Sequence, residues 1–148
     1  MSAGADDYLI STAPDKVDVD FVCAALARSY WAQNRARAVI EQSIKNSICF
    51  GVYERASGKQ VGFARVVTDG ATFSWLCDVV IDGSHRKKGL GKLLVSAAIS
   101  HPGLKGTMFL LGTRDAHGLY ERYGFVRTEM MRRTSPAAEP SPPKEPSP

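Results

Sequence analysis

The sequence predicts an α+β domain of three layers, with a mixed central sheet of about six strands flanked by about four helices. Three observations carry that expectation. Alternating apolar runs over 48–53, 61–67 and 72–82 are separated by short glycine-bearing turns, the pattern of an antiparallel meander. A strand, a basic glycine-rich turn and a helix-patterned segment then follow one another from Val79 to Ile99. At 148 residues and 44 % hydrophobic, the chain can bury one good core and has no room for a second domain of similar size.

In order, Tyr8 to Thr12 reads as a short strand ended by Pro14-Asp15. From Asp18 onward, Phe21, Val22, Ala25 and Leu26 recur at helical spacing, with Asp15 or Asp18 as the N-cap. The stretch Tyr30-Trp31-Ala32-Gln33-Asn34-Arg35 breaks that period, and Val39, Ile40, Ser43 and Ile44 resume it on a second helix. Ile48, Phe50 and Val52 alternate with Cys49, Gly51 and Tyr53. After Ala56-Ser57-Gly58-Lys59, the set Val61, Phe63, Arg65, Val67 alternates with Gly62, Ala64, Val66, completing a hairpin. Asp69-Gly70 turns into a long strand over Thr72 to Asp82. A helix from about Leu90 to Ser100 stops at Pro102-Gly103. A strand at Thr107 to Leu111, a short helix around Leu119 to Tyr123 and a last strand from Phe125 to about Met131 complete the pattern.

The turn Arg86-Lys87-Lys88-Gly89-Leu90-Gly91-Lys92 carries the chemistry. Two glycines permit a tight turn and leave main-chain N–H groups bare, the following helix adds a partial positive charge, and cationic side chains surround both. A diphosphate would be held there mostly by backbone. A Walker A loop is excluded because Arg86 stands where its first glycine belongs, and the dinucleotide fingerprint because Leu94 stands where its third glycine belongs. What remains is R-x-x-G-x-G after an apolar strand, which resembles the acetyl-CoA pyrophosphate loop of the GNAT superfamily of N-acetyltransferases. Downstream, Leu110 to Phe125 reads as a strand, a short tyrosine-bearing helix and the closing Y-x-x-x-G-F of Tyr120, Gly124 and Phe125, in the family's order. The resemblance spans roughly Tyr8 to Arg132. It divides the chain into one N-acetyltransferase domain, residues 1–133, and a Pro/Ser-rich disordered tail, residues 134–148.

That resemblance implies a GNAT-like sheet whose last parallel pair splays apart to admit the pantetheine arm. By position, the main chain of Val79, Val80 and Ile81 would bond the pantetheine amides, Arg86, Lys87, Lys88, Gly89, Leu90, Gly91 and Lys92 would hold the diphosphate, and an N–H near Val80 would face the thioester oxygen. Tyr120 is the candidate general acid, since a tyrosine can protonate a departing thiolate without itself being ionised at neutral pH. The family often has Asn seven residues before that tyrosine. Here Thr113 occupies the place, and Asp115 is the candidate contact to CoA on this side. Asp78 is the candidate base for an ammonium acceptor, if strand alternation or a bulge turns it into the cleft; a weakly basic amine would need none. Tyr30, Trp31, Phe73 and Trp75 are candidates for an aromatic acceptor wall and Arg65 for an acceptor carboxylate, although Phe73 and Trp75, as alternating aromatics on a strand, read first as core.

The expected function is acetyl-CoA-dependent transfer to a primary amine of a small molecule in a ternary complex. The alternatives are a protein lysine acetyltransferase, a non-catalytic CoA-binding or RNA-binding module, and a Cys77–His85 acyl-enzyme. The net charge of +4 suits an anionic ligand, but no Lys/Arg block with interleaved aromatics points to nucleic acid. Cys23, Cys49 and Cys77 lack C-x-x-C spacing and read as reduced core residues, with no metal site. No stretch reaches the roughly 20 apolar residues of a membrane span, and Met1 to Asp7 has neither the basic flank nor the apolar run of a signal peptide. A cytoplasmic monomer or homodimer is expected.

Overall fold

Five strands form one sheet in sequence order in a computed structural model that describes residues 5–135. They are β1 (Tyr8–Ser11), β2 (Ile48–Glu54), β3 (Gln60–Thr68), β4 (Phe73–Ile81) and β5 (Met108–Leu110). The first four pair antiparallel, and β5 joins β4 in parallel. Four α-helices accompany them: α1 (Val19–Ala27), α2 (Arg37–Lys45), α3 (Leu90–Ile99) and α4 (His117–Glu121). The mixed α+β architecture expected from the alternating runs is present, with α3 making the crossover that a parallel strand requires.

Strand alternation sorts the apolar side chains into two cores. On one face, Phe50, Val52, Ala64, Val66 and Leu76 pack against Leu90, Leu94, Val95 and Ala98, the buried stripe of α3. On the other, Cys49 and Phe63 pack against Val22, Leu26 and Ile40 of α1 and α2. Asp18 caps α1 by accepting the Phe21 N–H, and the same residue's own N–H donates to Gln60 Oε1 at 2.7 Å, tying the helix start to β3. The β2–β3 turn closes with Gly58 at φ 74°, where the Glu54 N–H donates to the Lys59 carbonyl.

The sixth strand is not formed. Residues 125–131 are irregular, and the only main-chain hydrogen bond there runs from the Phe125 N–H to the Tyr120 carbonyl, among the described residues. The alternation that suggested a strand is real, but a strand needs a neighbour, and Val126, Met130 and Met131 meet none: they are 81, 52 and 96 % exposed. β5 is therefore the sheet's edge. The short helix begins two residues earlier than its leucine-tyrosine spacing indicated and gives way to a turn at 122–124. Of the Pro-rich tail, residues 136–148 lie outside the described residues. Among those described, no helix is long and apolar enough to cross a membrane, and Cys23, Cys49 and Cys77 are free thiols.

Candidate active site

β4 and β5 are hydrogen-bonded over only three residue pairs, Phe73 with Met108, Ser74 with Phe109 and Trp75 with Leu110. Beyond Trp75 the strands part. The remainder of β4 stays paired to β3 on its other side, so its edge from Leu76 to Ile81 faces a wedge with no strand partner among the described residues. Trp75 stands at the fork, where a Cβ placed on Gly112 would lie 3.9 Å from its ring.

A β-bulge bends β4 within that wedge. Phe63 lies opposite Val80 and Arg65 opposite Cys77, so Asp78 and Val79 together face the single residue Ala64. Asp78 takes the extra place with φ 54°, a left-handed conformation that Asp tolerates better than most residues. Without the bulge, Asp78 would share the face of Leu76, under α3. With it, the side chain turns to the α1–α2 side, and Val79 and Ile81 take over packing against the α3 core.

There Asp78 is 4 % exposed and accepts three hydrogen bonds. Trp31 Nε1 donates to Oδ1 at 2.9 Å, Arg35 Nη1 to Oδ2 at 2.8 Å, and Arg65 Nε to Oδ2 at 3.0 Å. Arg65 Nη1 also donates to Ser47 Oγ at 3.1 Å. One buried carboxylate thus gathers the helix-breaking loop, β3 and the end of α2 around the bulge. With two guanidinium groups against it, the cluster keeps an excess of one positive charge.

The basic turn is built by backbone conformation. The Asp82 carboxylate accepts the Ser84 N–H and hydroxyl, starting a 3-10 turn over Gly83–His85. His85 Nδ1 and the Tyr8 hydroxyl share a 2.9 Å hydrogen bond that fastens this turn to β1. Lys87 at φ 63° and Gly89 at φ 80° then curl the chain into the start of α3. No side chain caps that helix, and the first-turn N–H groups of Leu90, Gly91 and Lys92 have no partner among the described residues. Arg86, Lys87, Lys88 and Lys92 are exposed and form no ion pair among the described residues. The result is a set of open donors with positive charge at a helix N-terminus, at the mouth of the wedge.

Tyr120 comes from α4 and is buried in the α3-side core, with its ring 5.9 Å from that of Phe125. Its hydroxyl has no hydrogen-bond partner among the described residues. Burial, then the nearby Tyr30 and Asp115, raise its pKa, so the phenol stays protonated at neutral pH. Tyr30 spans the wedge from the other side: its hydroxyl accepts the Arg114 N–H at 3.0 Å, and the Arg114 guanidinium lies 3.7 Å over its ring. Trp31 packs edge-on against Tyr30. Tyr123 donates to the Lys92 carbonyl at 3.2 Å and so braces α4 against α3. Thr113 Oγ1 accepts the Ala116 N–H just before α4, while Asp115 is exposed. Phe73 and Trp75 are half-buried and belong to neither core. A cavity of about 1110 Å³ lies along the open side of β5, lined by Tyr120, Tyr123, Phe125 and Met130 but by none of residues 79–92. It reaches Gly112, beside Trp75 at the fork, and so adjoins the wedge from the β5 side.

Arg35 and Arg114 were not legible as site residues, each being a single arginine in an unpatterned loop. The only hint was that Trp31 and Arg35 share a segment that breaks helical period. Among the described residues no cluster of His, Cys, Asp or Glu could hold a metal ion.

The family model for an acetyltransferase (GNAT) domain matches residues 45–127, more than half of the chain. A protein of Gibberella zeae, FG08082, whose name proposes an acetyltransferase, is 33 % identical over 126 residues, covering 70 % of this chain and 71 % of its own. The crystal structure of a GNAT-family protein from Xanthomonas campestris pv. campestris superposes with a TM-score of 0.82 at 38 % identity, over 87 % of this chain and 94 % of that one. A GNAT acetyltransferase from Elizabethkingia anophelis, solved with acetyl-CoA bound, shares the fold with a TM-score of 0.65 at 15 % identity, over 84 % and 79 % of the two chains. The splayed strand pair, the uncapped basic helix start and these likenesses agree: the chain belongs to the GNAT family of N-acetyltransferases.

Proposed function

We propose that this N-acetyltransferase moves the acetyl group of acetyl-CoA to a primary amine on a small molecule by direct attack, with both substrates bound together. The observation that carries the reading is the unpaired edge of β4 opening onto the bare N-terminal turn of α3. The residues present fit acetyl-CoA. Of the three residues expected to meet the pantetheine amides, Val80 lies opposite Phe63 and, like Asp82, turns its main chain to β3, so Val79 and Ile81 are the ones on the open edge; the N–H groups from Gly89 to Lys92, with Arg86, Lys87 and Lys88 around them, suit a diphosphate. A Cβ at Gly89 would meet nothing within 4 Å, so the glycine serves the backbone's φ and leaves the approach open.

Bound acetyl-CoA supplies the activated acyl group as a thioester. The chain's part is to place the acceptor nitrogen against the carbonyl carbon, to offer an N–H near Val80 to the oxygen as it gains charge, and to give a proton to the sulfur as the C–S bond breaks. We assign that proton transfer to Tyr120, whose hydroxyl is unengaged and held protonated by its surroundings. Asp78 stood as a candidate base from its position. The three donors on its carboxylate favour a positioning role, fixing Arg35, Arg65 and Trp31, and we assign it that role. A proton lost by the acceptor then passes to solvent. An acyl-enzyme on Cys77 is disfavoured because burial pushes that thiol up to about 11, leaving little thiolate at neutral pH.

Tyr30 and Trp31, with Arg35 and Arg65 below them, form an aromatic and cationic wall suited to a small amine or amino-acid-like acceptor. Free thiols at three positions suit a reducing, cytoplasmic setting. An acceptor screen that follows release of the CoA thiol tests the reading. Turnover with free amines above that with lysine peptides is expected. The reverse order would make the chain a protein acetyltransferase, and no release with any acceptor would remove the catalytic reading.

A further inference from the structure

We propose that the acceptor amine carries a carboxylate and that Arg35 binds it through the adjacent N–H groups at Nε and Nη2. The inference rests on the acetyl-transfer reading above and names the chemical class of its acceptor. The two oxygens of Asp78 are used unequally: Oδ1 accepts from Trp31, and Oδ2 alone accepts from both Arg35 and Arg65. Two guanidinium groups therefore share one carboxylate oxygen, and neither forms the two-pronged pair that such groups make best. Neither has another ionic partner among the described residues. The excess positive charge is largely withdrawn from water, which is costly until an anion meets it. One further carboxylate would set two anions against two cations, whereas the second charge of a phosphate ester would overshoot.

Of the two arginines, Arg65 is already spent. Its Nε donates to Asp78 and its Nη1 to Ser47, so neither two-pronged face of the group is whole. Arg35 gives up only Nη1. Its Nε and Nη2, which lie side by side and donate in parallel, have no partner among the described residues, and the side chain is the more exposed of the two. The carboxylate role that the sequence suggested for Arg65 thus passes to Arg35. Arg35 also stands where an acceptor has to lie. Asp78, which it grips, directly precedes Val79 on the open edge of β4. Trp31, on the same carboxylate, packs edge-on against Tyr30, and Tyr30 is near enough to Tyr120 to act on its ionisation. A small molecule resting on these two rings would have its carboxylate at Arg35 and its amine toward the thioester.

Release of the CoA thiol from acetyl-CoA, measured with β-alanine, γ-aminobutyrate and phenylalanine, each beside its own carboxamide, tests this. In the best pair the carboxylate is expected to lead by at least about ten-fold in kcat/KM, mainly through KM. Arg35→Gln should bring that ratio close to one. Both members of a pair meet the same preparation, so the ratio does not depend on how much of a variant is folded. Arg35→Lys keeps the charge and loses the fork, and should recover only part of the preference. Carboxamides that match their carboxylates throughout, or a preference that survives Arg35→Gln, would overturn the proposal. Should none of these amines nor any in a wider screen release CoA, the transfer reading fails by itself, and the anion site is read from the melting temperature. A rise with one of the three amino carboxylates at millimolar concentration, absent with its carboxamide and absent in Arg35→Gln, would keep the site. No such rise would remove it.

Discussion

Replacing Asp78 with Asn removes one charge and keeps the side chain's shape. Asn accepts a φ of 54° as readily as Asp, so the bulge itself is not strained by the change. What is lost is the anion at the centre of Trp31, Arg35 and Arg65. Hydrogen bonds to a charged group contribute about 1.5–3 kcal/mol each, and breaking a buried ion pair costs about 3–5 kcal/mol because the partner charge is stranded. The carboxylate is buried, but the Arg35 and Arg65 side chains are 24 and 13 % exposed and recover some hydration. A loss of about 3 kcal/mol, the low end of that range, is therefore expected. At about 2–4 °C per kcal/mol for a chain of this size, the melting temperature should fall by about 10 °C. Urea unfolding should show a lower midpoint at unchanged m. Glu41→Gln, which only releases the exposed Arg37, is the control and should shift stability by less than about 0.5 kcal/mol. A loss below about 1 kcal/mol for Asp78→Asn would refute the claim that this carboxylate holds the bulge cluster together. The same variant separates two roles. A positioning residue lowers kcat/KM and leaves the shape of the pH profile intact, whereas a base takes one limb of the profile with it.

Tyr120→Phe should lower turnover by about 100-fold or more while leaving acetyl-CoA affinity and thermal stability near wild type, since the hydroxyl has no hydrogen-bond partner to lose among the described residues; unchanged turnover in a CoA-release assay would remove it as the acid. Gly91→Val should fold normally, because a Cβ there meets only Leu119 at 3.7 Å, yet should weaken acetyl-CoA binding by crowding the first turn of α3; calorimetry with unaltered affinity would exclude that turn as the diphosphate site. Stability should fall as the solution is made alkaline. Burial raises Cys49 and Cys77 to about 11 and Tyr53 to about 12, so the unfolded chain ionises first. Stability is full below the ordinary thiol pKa near 8.5 and is lost as pH rises through about 11. A denaturation midpoint flat between those limits would contradict the burial of the thiols.

The parts of this molecule that were legible in its sequence are those whose cause is local. The alternation of Phe63, Arg65 and Val67 against Ala64 and Val66 gave β3 its two faces, and the spacing of Gly89 and Gly91 after an apolar strand gave the turn before α3. The bulge at Asp78 is different in kind, because it is a mismatch of register between β3 and β4 and has no signature within either strand. Only the pairing decides which face the carboxylate takes, and with it the company of Arg35 and Trp31. The expected sixth strand failed for the complementary reason. The pattern from Phe125 to Met131 is strand-like, but pattern does not supply a neighbour. Arg114 reaches Tyr30 across eighty-four positions of sequence, a contact that no spacing rule anticipates.

The most direct test of the account is hydrogen exchange of the full-length protein with and without acetyl-CoA. Slowed exchange at Val79 and Ile81 and from Gly89 to Lys92 is predicted, with little change on the open side of β5. Protection confined to residues 105–111 and 123–130, or none at 79–92, would contradict it.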